Sequence, residues 1–306
     1  MNEQPMSTEI PDGAVMVGVD GSEHALAAVR WAAEEAASRR GVLAIAHAAP
    51  NPRPAAGPPV GIGHARSIIS QANAEASGQA GAIRVSPVVL AGDPVPALTS
   101  ASASAALLVL GMTGSGGLDD ILLGSTTLQV SGQARCPVVG VRRWPPTRRP
   151  DPLVVLGLST LPADAPAVEV AFELANRRGW ELAVVHTHHP GPGGNDRHHG
   201  GRQALADHLA GWSRRYPAVT VGWRFPSGPP EKALLELGGR AEVIVTGSRR
   251  RGPAARALLG STSRAVLRHS PAPVIVAGPD SVTAPPDGPW YVTEAPRDPH
   301  ALGQLW

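Results

Sequence analysis

Short apolar runs alternate along this chain with longer segments whose apolar residues recur every three or four positions. In the amino-terminal half, residues 14–20 (AVMVGVD), 42–48 (VLAIAHA), 83–92 (IRVSPVVLAG), 107–111 (LLVLG) and 137–142 (PVVGVR) carry the strand pattern. Helices are predicted between them: an alanine-rich one over 25–41 closed by Gly41, then 65–81, 95–105 and about Ser125 to Ala134. Pro87 predicts a bulge or an edge position for the third strand, because proline cannot donate to a ladder. The carboxy-terminal half repeats the order, with strands at 153–158, 181–187, 218–226, 242–247 and 273–277 and helices at 164–178, 201–215, 231–240 and 261–269. Strands this uniformly apolar are buried on both faces, which means a parallel sheet covered by helices. The predicted fold class is α/β: two tandem, doubly wound, five-stranded parallel-sheet domains. Ligands of such sheets bind beyond the carboxyl ends of the strands, where the winding reverses. Asp20 and the segment after Gly111 lie at such ends.

The halves align on their glycines and prolines. Gly111 falls on Gly247, Gly124 on Gly260 and Pro137 on Pro273, each 136 residues apart, and His47 falls on His186, 139 apart. This reads as a duplication: a flexible amino terminus over 1–12, a domain over 13–142, a proline- and arginine-rich linker over 143–152, a second domain over 153–278, and a tail over 279–306 whose composition predicts disorder. Of the 306 residues, 27 are basic and 25 acidic, a net charge of +2 that gives no electrostatic argument for nucleic acid or an anionic membrane. Cys136 is the only cysteine, so no internal disulfide is available. The start, MNEQPMSTEIPDG, lacks the basic and apolar segments of a leader. No apolar run approaches the ~18 residues of a membrane span. The expectation is a soluble, cytoplasmic protein.

The glycine-rich stretch 110–127, LGMTGSGGLDDILLGSTT, is the main candidate for chemistry. A P-loop needs a lysine, and none is present. The dinucleotide fingerprint after Gly114 and Gly116 needs glycine where Asp119 stands, and after Gly61 and Gly63 where Arg66 stands. A nucleophile elbow around Ser115 needs glycine where Thr113 stands. What remains is Gly111-x2-Gly114-x9-Gly124-Ser125, between a strand and a helix. Glycines there permit positive φ and let backbone amides approach an anion with no Cβ in the way. Ser125 and Thr126 add hydroxyls at a helix start, whose first N–H groups favour negative charge.

With VGVDGS (17–22) at the first strand end and GDP (92–94) before the third helix, this spacing resembles the nucleotide-binding members of the universal stress protein family. The resemblance covers roughly 13–142 and 153–278. It implies an adenine nucleotide alpha hydrolase-like domain in each half. It also implies an ATP-binding stress-response module, a nucleotide-gated regulator and not an enzyme, with Mg²⁺ accompanying the triphosphate. By that resemblance Asp20 sits near the adenine–ribose end, and Gly18, Val19, Ala48 and Leu110 line the base. Gly111, Met112, Gly114, Gly124, Ser125 and Thr126 complete the site. Asp119 or Asp120 could touch the cation, although a solvated loop is the plainer reading of both. Pairing through the last strands is implied, within one chain or in a homodimer, as is a protein partner of unknown identity. The alternative is a nucleotide-free structural or interaction module.

The second copy, TGSRRRGPAARALLGSTS (246–263), departs from the pattern: Ser159 stands for Asp20, and Arg250 for Gly114. Either the half has lost nucleotide binding, or Arg249, Arg250 and Arg251 hold an anion in another way. Weaker or absent ATP binding is expected there. His186, His188, His189, His198 and His199 raise a metal site as the minority reading. Cys136 reads as a small buried thiol, and Trp31 and Trp180 as packing residues. Trp290, Tyr291, Leu302 and Trp306 of the tail could dock on a partner or on the body of the chain.

Overall fold

A computed structural model describes residues 6–49, 60–79, 83–112, 124–144, 150–159, 163–187, 196–248, 259–279 and 281. In chain order the first half runs β1 (Ala14–Gly18), α1 (Glu23–Ser38), β2 (Val42–Ala49), α2 (Val60–Gln79), β3 (Arg84–Ala91), α3 (Pro94–Ala101), β4 (Ala105–Gly111), α4 (Ser125–Gln133) and β5 (Val138–Val141). The second runs β6 (Leu153–Gly157), α5 (Ala165–Arg178), β7 (Glu181–Val185), α6 (Asp196–Arg215), β8 (Val221–Arg224), α7 (Pro230–Gly238), β9 (Val243–Gly247), α8 (Ser261–His269) and β10 (Val274–Ala277). All of these strands belong to one sheet of order β3-β2-β1-β4-β5-β10-β9-β6-β7-β8. Pairing is parallel within each half and antiparallel at the centre, where Val274, Ile275 and Val276 face Gly140, Val139 and Val138. The two five-stranded sheets are thus fused through their last strands.

Alternation along the strands divides the core by face. Val15, Val17 and Val109 of the first half share a cluster with Val154, Leu156 and Val245 of the second, packed under helices α1, α2, α5 and α6. The opposite face is split into two smaller clusters, one with Met16, Leu108 and Val130, the other with Val155, Ile244 and Leu267. No helix among the described residues is long and apolar enough to cross a membrane.

Several sequence expectations need correction. Gly41 helps to close α1, its N–H donating to Ala36 O (2.9 Å), but the left-handed residue is Arg40, at φ 52. Helix α3 ends at Ala101, and Ala105, expected in it, opens β4. Helix α6 begins at Asp196, so His198 and His199 are helical and not in a glycine-rich loop. The amino terminus is not loose from residue 6 on. Ser7 bridges Val88 in parallel, with Ser7 N–H donating to Pro87 O (2.9 Å) and Val89 N–H to Ser7 O (2.9 Å), and Ile10 is buried. Pro87 does lie on an edge strand, and this segment covers part of it. Nor is the linker passive. Trp144 is buried, meets Trp31 edge to face at 6.5 Å, and donates from Nε1 to Glu34 Oε1 (2.9 Å).

The halves are also clamped by charge. Glu35 of α1 is 1% exposed and lies among three arginines. It accepts from Arg39 Nε (2.7 Å), Arg178 Nη2 (3.1 Å) and Arg177 Nη2. Arg177 and Arg178 belong to the last turn of α5, so one carboxylate ties α1 to α5. Burial pushes the Glu35 carboxyl up, but Arg39, Arg177 and Arg178 together outweigh it and hold the pKa below the ordinary 4.5. A depressed carboxylate pKa adds stability above the unfolded value, and that increment disappears as pH falls through the folded one. Glu35→Gln is therefore expected to cost about 2 kcal/mol at pH 7 by removing the buried carboxylate that three half-buried guanidiniums share. Thermal melts followed by circular dichroism from pH 7 to pH 3 should show the wild type losing this advantage below about pH 4.5, whereas the variant shows a flatter profile.

Candidate functional site

The carboxyl ends of β1 and β4 lie side by side in the first half, with Gly18 paired to Leu110. Asp20, two residues beyond Gly18, is exposed, and its Oδ1 accepts from Ser22 N–H (3.0 Å). Ser22 in turn caps α1, its Oγ accepting from Ala25 N–H (3.2 Å). Gly111 ends β4 and is there for a close approach. A Cβ on it would stand 2.6 Å from the His24 carbonyl carbon and 2.8 Å from Ala25 N, inside the first turn of α1. Positive φ, expected at Gly111, is found instead at Gly124 (φ 79), which precedes α4. The first turn of α4 has no side-chain cap. Thr127, not singled out from the sequence, fastens this turn to the strand end by donating from Oγ1 to Gly111 O (3.0 Å).

The other sequence-predicted residues divide between scaffold and surface. Val19 is core, with its N–H on Ala46 O (2.9 Å) and its O taking His47 Nδ1 (2.8 Å). Leu110 is 4% exposed and fills the space over Gly18, its Cδ2 lying 2.5 Å from where a Cβ would be. Met112 is 2% exposed; its N–H donates to Val141 O (2.7 Å) and its side chain packs over Gly124 and Gly140 beside Leu267. These residues build the floor rather than offer hydrogen bonds. Ala48 is half-buried at the end of β2, Ser125 is exposed, and Thr126 is half-buried. Gly114, Asp119 and Asp120 lie outside the described residues, as do Arg249, Arg250 and Arg251.

The second half copies the scaffold and changes the chemistry. Ser263 Oγ donates to Gly247 O (2.8 Å) as Thr127 does to Gly111, and His186 Nδ1 meets Leu158 O (3.0 Å) as His47 meets Val19. Gly260, however, takes φ −60 where Gly124 takes 79. Helix α5 starts later after β6 than α1 does after β1, which leaves room for Asp164. Its Oδ2 accepts from Ser159 N–H (2.7 Å) and Ser159 Oγ (2.8 Å), and its Oδ1 lies 2.5 Å from where a Cβ on Gly247 would be. The carboxylate missing at Ser159 is thus supplied five residues later, a substitution no alignment of the halves predicts. Thr246 replaces the bulk of Leu110, and a cavity of about 330 Å³ opens beside it. Among the described residues no group of three or more His, Cys, Asp or Glu could hold a metal. Cys136 is buried, and desolvation pushes its thiol up to about 12, so it is unreactive.

Thr246 is 3% exposed, and its hydroxyl has no hydrogen-bond partner among the described residues. An unsatisfied buried hydroxyl costs about 1–3 kcal/mol. Thr246→Val removes the polar atom and keeps the shape, so it is expected to raise the melting temperature by about 2–4 °C, read by differential scanning calorimetry.

Comparison with known proteins accords with this geometry. The sequence profile of the universal stress protein family matches residues 13–142 and again 153–278. A universal stress protein of Mycobacterium tuberculosis (strain CDC 1551 / Oshkosh) is 34% identical over 310 residues, covering 89% of this chain and 97% of its own. Another, from Mycobacterium tuberculosis (strain ATCC 25618 / H37Rv), is 35% identical over 294 residues, covering 89% and 99%. The crystal structure of a universal stress protein from Archaeoglobus fulgidus DSM 4304 superposes with a TM-score of 0.68 at 22% identity, over 86% of this chain and 98% of that one, which shows a shared fold.

Proposed function

This chain belongs to the universal stress protein family, and from that premise we propose that its amino-terminal half binds ATP with Mg²⁺ as a regulatory module. The observation that carries the reading is the pairing of Gly124 and Asp20. Left-handed Gly124 leads into an α4 whose first turn lacks a side-chain cap, and that turn is held against the end of β4 by Thr127. Unpaired amides at a helix start attract phosphate. The exposed Asp20 stands one strand away, where a carboxylate accepts hydrogen bonds from ribose hydroxyls or an amino group. These residues thus suit both ends of a nucleotide. Mg²⁺ would arrive on the phosphates.

The second half is proposed not to take ATP. Asp164 places a carboxylate against Gly247, the counterpart of the glycine that opens the phosphate motif. A like charge there opposes a polyphosphate. The module is proposed to act by binding and not by efficient hydrolysis; His47, at the end of β2, has Nδ1 engaged with Val19 O and serves the scaffold. Occupancy would set which surface a protein partner meets.

Titration calorimetry of the full chain with Mg-ATP is expected to give one site. Asp20→Ala, with an unchanged circular dichroism spectrum, should weaken it about 10-fold or more, the loss of a charge-assisted hydrogen bond. Two equal sites would overturn the assignment to one half. A flat titration at millimolar ATP would leave the nucleotide-free interaction module.

A further inference from the structure

The ten-stranded sheet has two edges, and the chain treats them differently. On β3 lies the chain's own amino-terminal segment, with Ser7 N–H donating to Pro87 O (2.9 Å) and Val89 N–H to Ser7 O (2.9 Å). On the outer side of β8 no described segment pairs. Leu182 N–H donates to Thr220 O and His186 N–H to Arg224 O, so alternate residues of β8 turn their main chain toward β7. The N–H and C=O groups of Val221 and Trp223 therefore point outward. Arg224 Nη1 donates to Trp223 O (3.1 Å), which leaves that oxygen a second lone pair. The side chains at this edge are apolar. Val221 and Trp223 are half-buried against the large core cluster, and Trp223 stacks on Phe225 at 5.7 Å. Open backbone beside apolar surface is a template for one more strand.

The chain beyond β10 carries a segment suited to that edge. Residues 290–295 read WYVTEA, between Pro289 and Pro296. Trp, Tyr, Val and Thr are strong strand formers, and flanking prolines bound a short strand. The run is about as long as the four residues of β8. Its reach also fits. The strands β10, β9, β6, β7 and β8 are mutually parallel, so the chain leaves β10 at the rim where β8 ends. A position outside β8 is five strand spacings from β10, about 24 Å. The nine residues from Ser281 to Trp290 span up to about 30 Å, and Pro285, Pro286 and Pro289 favour extension. Arriving at the carboxyl rim, the segment meets β8 head-on and runs antiparallel to it.

We propose that residues 290–294 add to β8 as an antiparallel edge strand, pairing with the main chain of Val221 and Trp223. Alternation then sets Trp290 and Val292 on one face and Tyr291 and Thr293 on the other. The carboxy-terminal segment closes one edge of the sheet as the amino-terminal segment covers the other. A tethered segment has an effective concentration on the order of millimolar, so it occupies the edge ahead of a second copy of the chain. The inference is independent of the ATP reading.

Amide hydrogen exchange on the full chain, read residue by residue, tests this. The variant is Tyr291→Pro combined with Val292→Pro, adjacent so that one lost N–H faces β8 in either register. Both positions lie after the last core strand, and an unchanged circular dichroism spectrum checks that the body stays folded. In the wild type, Val221, Trp223 and amides within 290–294 are expected to exchange slowly at every protein concentration. In the variant Val221 and Trp223 should exchange about 10-fold faster or more, the scale of one or two main-chain hydrogen bonds, while β7 is unchanged. The proposal is overturned if 290–294 exchanges in the wild type at the rate of a free peptide, or if the prolines leave Val221 and Trp223 unaffected. It is also overturned if protection of β8 rises with protein concentration, the mark of a second copy on that edge.

Discussion

Three residues of β5 lie antiparallel to three of β10, and most of the architecture follows from that pairing. Alone, each five-stranded sheet would present a last strand with open N–H and C=O groups, an invitation to aggregate. Paired, the two strands become the centre of a ten-stranded sheet and both are fully buried. Fusion also aligns the helical layers, so that α1, α2, α5 and α6 cover one continuous core face. Only then can Glu35 of α1 reach Arg177 and Arg178 of α5. Because the central pairing reverses strand direction, the carboxyl ends of the two halves face opposite ways. The candidate site of the first half and the cavity of the second therefore sit at opposite rims of the sheet.

Separation of the two rims leaves each half free to change the residues at its own strand ends. The parts that position the loops are kept: Thr127 and Ser263 each tie a helix start to a strand-end glycine, and His47 and His186 each hold a main-chain oxygen. The parts that would meet a ligand are exchanged. Leu110 becomes Thr246 and space appears; Asp20 becomes Ser159, and a carboxylate returns from Asp164, buried where Asp20 is exposed. Each exchange alters size or charge without touching a hydrogen bond of the ladder, so the fold tolerates it.

What could be read from the chain follows the range of the forces involved. Strand and helix order came from hydrophobic periodicity, and the duplication from the spacing of Gly111, Gly124 and Pro137 against their counterparts. Both are local patterns. Asp164 could not be read in this way, because its role depends on α5 starting late and on a side chain turning back five residues. Trp144 looked like linker, since nothing beside it in sequence announces Trp31 and Glu34. Glu35 belongs to an ordinary pair of acids on a helix until a helix of the other half brings two arginines to it. Gly111 shows the same limit in reverse. Glycine was expected, but the reason is the close backbone of α1 and not a left-handed turn.

The rims are distant but not mechanically unrelated, and α8 is the element they share. Its first turn borders the cavity of the second half through Ser261, Thr262 and Ser263. Its last turn carries Leu267, which occupies the space over Gly140 together with Met112, the residue that follows the strand-end glycine of the first half. Arg142 of the first half holds the same end by donating to the carbonyls of Leu267 and Arg268, where the helix dipole favours a cation. A nine-residue helix is a stiff rod of about 13 Å. Close-packed contacts at both ends transmit small shifts rather than absorb them. The position of α8 is therefore set jointly by the second half, whose strand ends its first turn meets, and by Met112 of the first half, one residue from Gly111.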